Sequence, residues 1–122
     1  MLRGLHKLCD KGNWSEAADA ISRGKADPKE KGGWGDWTPL HLACRRNPPV
    51  GIVDALIHAD PDTAAIPDGY ARLPIHHAAE RGSAVDVLAV LADAHPEGIV
   101  SKDTEGRAPL HLSILGSNRE RQ

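Results

Sequence analysis

Phenylalanine is absent from this chain of 122 residues, and only three tryptophans and one tyrosine supply large rings. A core filled by aromatic side chains is therefore excluded, and Ala, Leu, Ile and Val must pack the interior. Small side chains of that kind suit thin helices lying close together in layers. Cysteine is nearly as scarce: Cys9 and Cys44 alone cannot make a disulfide framework. No apolar run approaches the roughly 20 residues that a membrane-spanning helix needs, and the segment from Met1 to Lys7 lacks the apolar stretch of a secretory leader. A formal net charge of −2 leaves no basic excess of the kind that marks nucleic-acid binders. The expectation is an intracellular protein, cytoplasmic or nuclear, that engages neither membrane nor nucleic acid.

What the chain does have is repetition. Thr38-Pro39-Leu40-His41-Leu42-Ala43 returns 35 residues later as Leu73-Pro74-Ile75-His76-His77-Ala78, and 35 later again as Ala108-Pro109-Leu110-His111-Leu112-Ser113. A worn copy, Arg3-Gly4-Leu5-His6-Lys7-Leu8, precedes them at the same offset. A constant period of this size marks stacked repeats, each too small to bury its own apolar face. Repeats at about 3–37, 38–72 and 73–107, with a partial copy at 108–118, are expected to fill residues 1–122 as one domain.

Each copy reads as two short helices. The first carries the anchors Leu5, Leu40, Ile75 and Leu110, with proline at the opening turn of the last three copies. It stops at Gly12, Asn47, Gly82 and Ser117; Gly and Asn tolerate the left-handed backbone that follows a helix. The second carries apolar residues at helical spacing: Trp14, Ala17, Ala18 and Ile21 behind a Ser15 cap, then Val50, Ile52, Val53, Leu56 and Ile57, then Val85, Val87, Leu88, Leu91 and Ala92. Proline at 61 and 96 ends the later two. The polar stretches between pairs carry the turn signals Gly32-Gly33, Asp68-Gly69 and Gly106.

The motif resembles the T-P-L-H-x-A signature of ankyrin repeats. The resemblance implies an all-α, ankyrin-like solenoid of antiparallel helix pairs with extended finger loops, acting by recognition rather than catalysis. Two departures stand out. The period is 35 rather than the family's usual 33, and the capping Thr survives only as Thr38, so Leu73 and Ala108 forgo a hydroxyl worth about 1 kcal/mol each. The last copy has no second helix, so Ile114 and Leu115 either continue into a longer array or meet a partner.

Seven histidines invite a metal reading. However, His6, His41, His76 and His111 recur one repeat apart, about 8–10 Å if helices pack at their usual spacing. Zinc ligands must converge to within about 4 Å, so the ladder is expected to satisfy backbone groups and link neighbouring repeats instead. His76 and His77 diverge by about 100° on a helix and do not chelate together. Neither a metal nor a cofactor is expected. Cys9 and Cys44 share one repeat position, too far apart for a disulfide. A nucleophile or metal site built on His6 and Cys9 is a remote alternative, because no oxyanion hole or third orienting group accompanies it. Gly32-Gly33-Trp34-Gly35 lacks the Lys-Ser/Thr of a phosphate loop.

The resemblance places partner-contacting positions on the fingers and on the outward side of the first helices. Here they fall on Trp34, Trp37, Arg45, Arg46, Tyr70, Arg72, Glu80, Arg81, Glu105 and Arg107. Trp, Tyr and Arg are enriched in binding hot spots, and two of the three Trp and the only Tyr lie in this set. Trp37 either packs under its own finger or faces a partner; Trp34 either caps the first repeat or binds a partner. The set is more positive than the whole chain, so the expected partner is another protein presenting an acidic segment. The runner-up is an accessory segment of a larger enzyme or channel. Oligomeric state has no signature in the sequence.

Overall fold

The computed structural model describes residues 4–24 and 29–109. They form six helices: α1 Gly4–Lys11, α2 Trp14–Ser22, α3 Pro39–Cys44, α4 Val50–Ala59, α5 Pro74–Glu80 and α6 Val85–Ala94. No strand occurs among the described residues, only one isolated antiparallel bridge between Gly32 and Trp37. The expected partial copy at 108–118, with Leu110, His111 and Ser117, lies almost wholly outside the described residues.

The starts and stops follow local chemistry. Pro39 and Pro74 occupy the first turns of α3 and α5, where a missing N–H leaves no intrahelical bond unmade. The residues that end the first helices, Gly12, Asn47 and Gly82, have φ of 75°, 54° and 70°. That left-handed backbone breaks the helix at the expected three positions. α4 and α6 end at Ala59 and Ala94, one residue short of Asp60-Pro61 and His95-Pro96. After each proline the chain winds one tight 3-10 turn, Pro61–Ala65 and Pro96–Val100, which periodicity did not indicate. A five-residue turn is too short to show a hydrophobic period.

Two helix rows result. α1 packs on α3 and α3 on α5, while α2 packs on α4 and α4 on α6. The core is shared between them: Leu5, Cys9, Leu40, Ala43, Cys44, Ile75, Ala78 and Ala79 come from the first helices, and Ala17, Ile52, Val53, Leu56, Val87 and Leu91 from the second. Two expected core positions differ. Val85 is 82% exposed, because it opens α6 before the apolar face has turned inward. Ala18 is exposed beside the buried Ala17. Ser15 is not the cap of α2 either: that helix starts at Trp14 behind Asn13, with no side-chain cap bond.

Candidate functional site

The histidines at the repeat position carry the connection between successive helix pairs. His41 Nδ1 accepts the Thr38 backbone N–H at 3.1 Å, and its own backbone N–H donates to Thr38 Oγ1 at 3.3 Å, a closed capping box. With Nδ1 accepting, the ring proton sits on Nε2 and is donated to the Arg72 carbonyl 2.9 Å away. Burial, reinforced by the neighbouring His77, lowers the His41 pKa to about 4. His76 repeats the arrangement with the hydroxyl gone: the Leu73 N–H still donates to Nδ1 at 2.9 Å, and Nε2 donates to the Ser101 carbonyl at 2.8 Å. The loss of Thr therefore removes only half of the box. In the first copy Nε2 of His6 faces the carbonyls of Glu30 and Trp37 at 2.6 and 3.1 Å.

Those bonds hold the loops that precede α3 and α5 against the helices. The loops are also bonded to one another, Gly69 N–H to the Gly35 carbonyl at 2.7 Å and Thr104 N–H to the Tyr70 carbonyl at 3.1 Å. Inside each later loop an aspartate folds the backbone: Asp68 Oδ1 accepts from the N–H of Tyr70 and Arg72, and Asp103 Oδ1 from those of Glu105 and Arg107.

Between the loops and the near ends of α3 and α5 lies a cavity of about 290 Å³. Eight of the ten positions singled out in the sequence line it: Trp37, Arg45, Tyr70, Arg72, Glu80, Arg81, Glu105 and Arg107. Asp68, His77, Asp103 and Thr104 complete the lining. Arg45 stacks its guanidinium 4.5 Å over the Trp37 ring. The indole in turn lies so close over Gly35 that a Cβ there would sit 2.3 Å from Trp37 Cε2. Trp37 thus packs on its own loop and also walls the cavity. Trp34 does neither; it is 99% exposed at the loop tip, so it caps nothing. Arg46 lies beside the cavity, its Nε donating to the Asp10 carbonyl at 2.6 Å.

The charges of the cavity are largely paired among themselves. Arg72 forms an ion pair with Glu80 and lies 3.6 Å from Asp103, which Arg107 approaches to the same distance. Burial is the largest single influence and raises both carboxylate pKa values. The hydrogen bond and charge of Arg72, with the charges of Arg107 and His77, together outweigh it at Glu80. The backbone N–H groups of Arg107 and Glu105, with the two arginine charges, outweigh it at Asp103, so both end below their ordinary range. The positive excess expected over the whole set is therefore not found at Arg72 and Arg107.

At the cavity wall Asp68 and His77 come together with the buried His41, a meeting that the sequence did not indicate. His77 Nε2 donates to Asp68 Oδ2 at 2.9 Å, and the rings of His77 and His41 meet edge to face with centroids 5.6 Å apart. Burial lowers the His77 pKa, and although burial works against Asp68 ionising, the hydrogen bonds from His77, Arg72 and Tyr70 hold it at about 2. One potential ligand atom from each of His41, Asp68 and His77 lies within 4.8 Å of the others. The geometry fits an ion poorly, since both nitrogens of His41 are committed to Thr38 and Arg72. The signal lay in the period: His77 occupies the place of Leu42, and a polar side chain at a buried apolar position needs a partner.

The His6–Cys9 alternative has little chemistry to work with. The ring nitrogen of His6 nearest the loop is turned to backbone carbonyls, and burial pushes the Cys9 thiol up to about 12. A thiol held that high supplies almost no thiolate at neutral pH.

No helix among the described residues is long and apolar enough to cross a membrane. No curated protein matches this sequence. Residues 35–66, which take in Trp37, the Thr38 capping box, α3, α4 and the 3-10 turn, match the family model for the ankyrin repeat.

Proposed function

We propose that the chain is a non-enzymatic protein-recognition module: an ankyrin-type solenoid of three repeats and a terminal half-copy in which the connecting loops are the fingers. The matched segment supports this for one repeat, and protein interaction is the general role of that family. The extension to the other copies rests on the period of 35 and on a recurring histidine-to-carbonyl bond, which joins α1 and α3 to the equivalent residues Trp37 and Arg72 and joins α5 to Ser101. On this reading a partner segment lies along the loop tips and the first helices, anchored on Trp34, Trp37 and Tyr70.

The observation that carries the reading is the convergence of eight sequence-selected residues on one cavity, among them the half-exposed Tyr70, together with the 99% exposure of Trp34 on a neighbouring loop. Solvent-exposed rings on a hydrogen-bonded scaffold are costly to leave wet and lose little entropy on binding. The test is a partner recovered with the wild-type protein and then titrated against Trp34→Ala/Tyr70→Ala. A loss of at least tenfold in affinity supports the groove; an unchanged affinity places the binding surface elsewhere.

A further inference from the structure

Resting on that reading, we infer that the cleft formed by Arg45, Arg46 and Arg81 is an oxyanion subsite that takes a phosphorylated side chain of the partner segment. The cleft encloses about 210 Å³ and is lined by these three arginines and Asp10 alone. Three guanidiniums less one carboxylate leave a local charge of +2. The adjoining cavity differs: beyond the shared Arg45 and Arg81 it holds only Arg72 and Arg107, against the carboxylates of Asp68, Glu80, Asp103 and Glu105. An acidic group on a partner would therefore be drawn to the Arg45–Arg81 end and not to the Arg72–Arg107 end.

The three arginines are held without being used up. Arg45 and Arg81 cap the C-terminal ends of α3 and α5, and Arg46 and Arg81 are equivalent positions one period apart. None of the three is in an ion pair with a carboxylate among the described residues, whereas Arg72 and Arg107 both are. Arg45 lies over the Trp37 indole, and stacking on a ring face leaves the in-plane N–H donors of a guanidinium free for a two-oxygen acceptor. Arg46 spends its Nε–H on the Asp10 carbonyl and keeps its terminal NH2 groups. Arg81 has no side-chain partner among the described residues. Like charges gathered round one cleft raise a field that a counter-ion relieves. A phosphomonoester, close to −2 above pH 7 with three acceptor oxygens, matches both the charge and the donor count better than a carboxylate.

The experiment follows the Arg Nε–Hε resonances of the whole protein at pH 7.5. The probes are inorganic phosphate and three capped tripeptides, Gly-Xaa-Gly with phosphoserine, glutamate or serine at the centre, at matched ionic strength. Phosphate and the phosphoserine peptide should shift Arg45 and Arg81 saturably. The midpoint for phosphoserine should be at least tenfold below that for glutamate, serine should be silent, and Arg45→Gln/Arg81→Gln should abolish the response. Equal responses to phosphoserine and glutamate, or a response that survives the double variant, overturn the inference. So does a response seen only with vesicles that carry phosphomonoester lipids, added as a fifth probe. The Trp34→Ala/Tyr70→Ala variant separates the two readings. If a recovered partner loses affinity with it but ignores phosphorylation and the double arginine variant, the groove stands and the cleft falls. If the phosphate shift persists while no partner depends on Trp34 or Tyr70, the cleft stands and the groove falls.

Discussion

The Nε2–H of His41 reaches the carbonyl of Arg72 at 2.9 Å, so a side chain of one helix pair fixes the backbone that leads into the next. Because the same ring closes the capping box with Thr38, His41→Ala removes a cap, a long-range bond and buried volume together. The expected loss is about 3 kcal/mol, measured by urea unfolding at pH 7.5. A loss under about 1 kcal/mol would show that the ring is not what couples the two pairs.

The same residue sets the response to acid. Its pKa is about 4 in the fold against 6.5 when exposed. Above about pH 7 neither state carries the proton, and the group contributes no pH dependence. As pH falls from about 6.5 to 4, the unfolded chain is protonated first and stability drops, by about 3 kcal/mol for His41 alone. His76 and His77, also lowered by burial, act in the same direction. Below pH 4 the Asp68 carboxylate, held at about 2, adds a further loss as it is protonated. Thermal melts between pH 7.5 and 4 should show the midpoint falling steadily, with a shallower slope in His41→Ala. A level profile across that range contradicts the assignment of buried neutral rings.

Gly35 is required by Trp37. A Cβ at residue 35 would lie 2.3 Å from the indole, so Gly35→Ala should cost about 1–3 kcal/mol and displace the ring from under Arg45. In Gly35→Ala/Trp37→Ala the clash has no second partner, and the two effects should be strongly non-additive. Additive losses in the double-mutant cycle would mean that the glycine matters for some other reason.

Both thiols should be silent in the native protein. Cys9 and Cys44 are fully buried, and burial pushes Cys9 up to about 12 and Cys44 higher still. An aromatic disulfide reagent at pH 8 should label neither in buffer and both in denaturant. Rapid native labelling of either one would reveal an opening of α1 or α3.

Trp34→Ala and Tyr70→Ala should leave stability within about 0.5 kcal/mol of wild type, because Trp34 is almost wholly exposed and Tyr70, at the cavity edge, is more than half exposed. That separation matters, since it lets any change in partner affinity be read as a surface effect. A large destabilisation by Trp34→Ala would mean that the ring covers core after all.

The helix boundaries and the repeating anchors were legible because their causes are local. Proline at a first turn, Gly or Asn at a stop and the spacing of Leu40, Ile52, Val53 and Leu56 act through the residue's own backbone or one helix face. Ser15 and Val85 differ from expectation where a helix begins, since one residue of shift there changes which face a side chain joins. Eight of the cavity's twelve lining residues were legible as well, through the resemblance to ankyrin repeats rather than through the period alone. Which of its charges remain available was not.

By itself, then, the sequence determined the period, the paired helices and the small-residue core. Tertiary structure alone decided that Asp68 bonds His77, whose ring meets that of His41, that Arg72 and Arg107 are paired within the cavity, and that Arg45, Arg46 and Arg81 have no carboxylate partner among the described residues. The physical reason is range: helix signals work over four residues, whereas pairing depends on where two loops and two helices bring side chains that are remote in the chain.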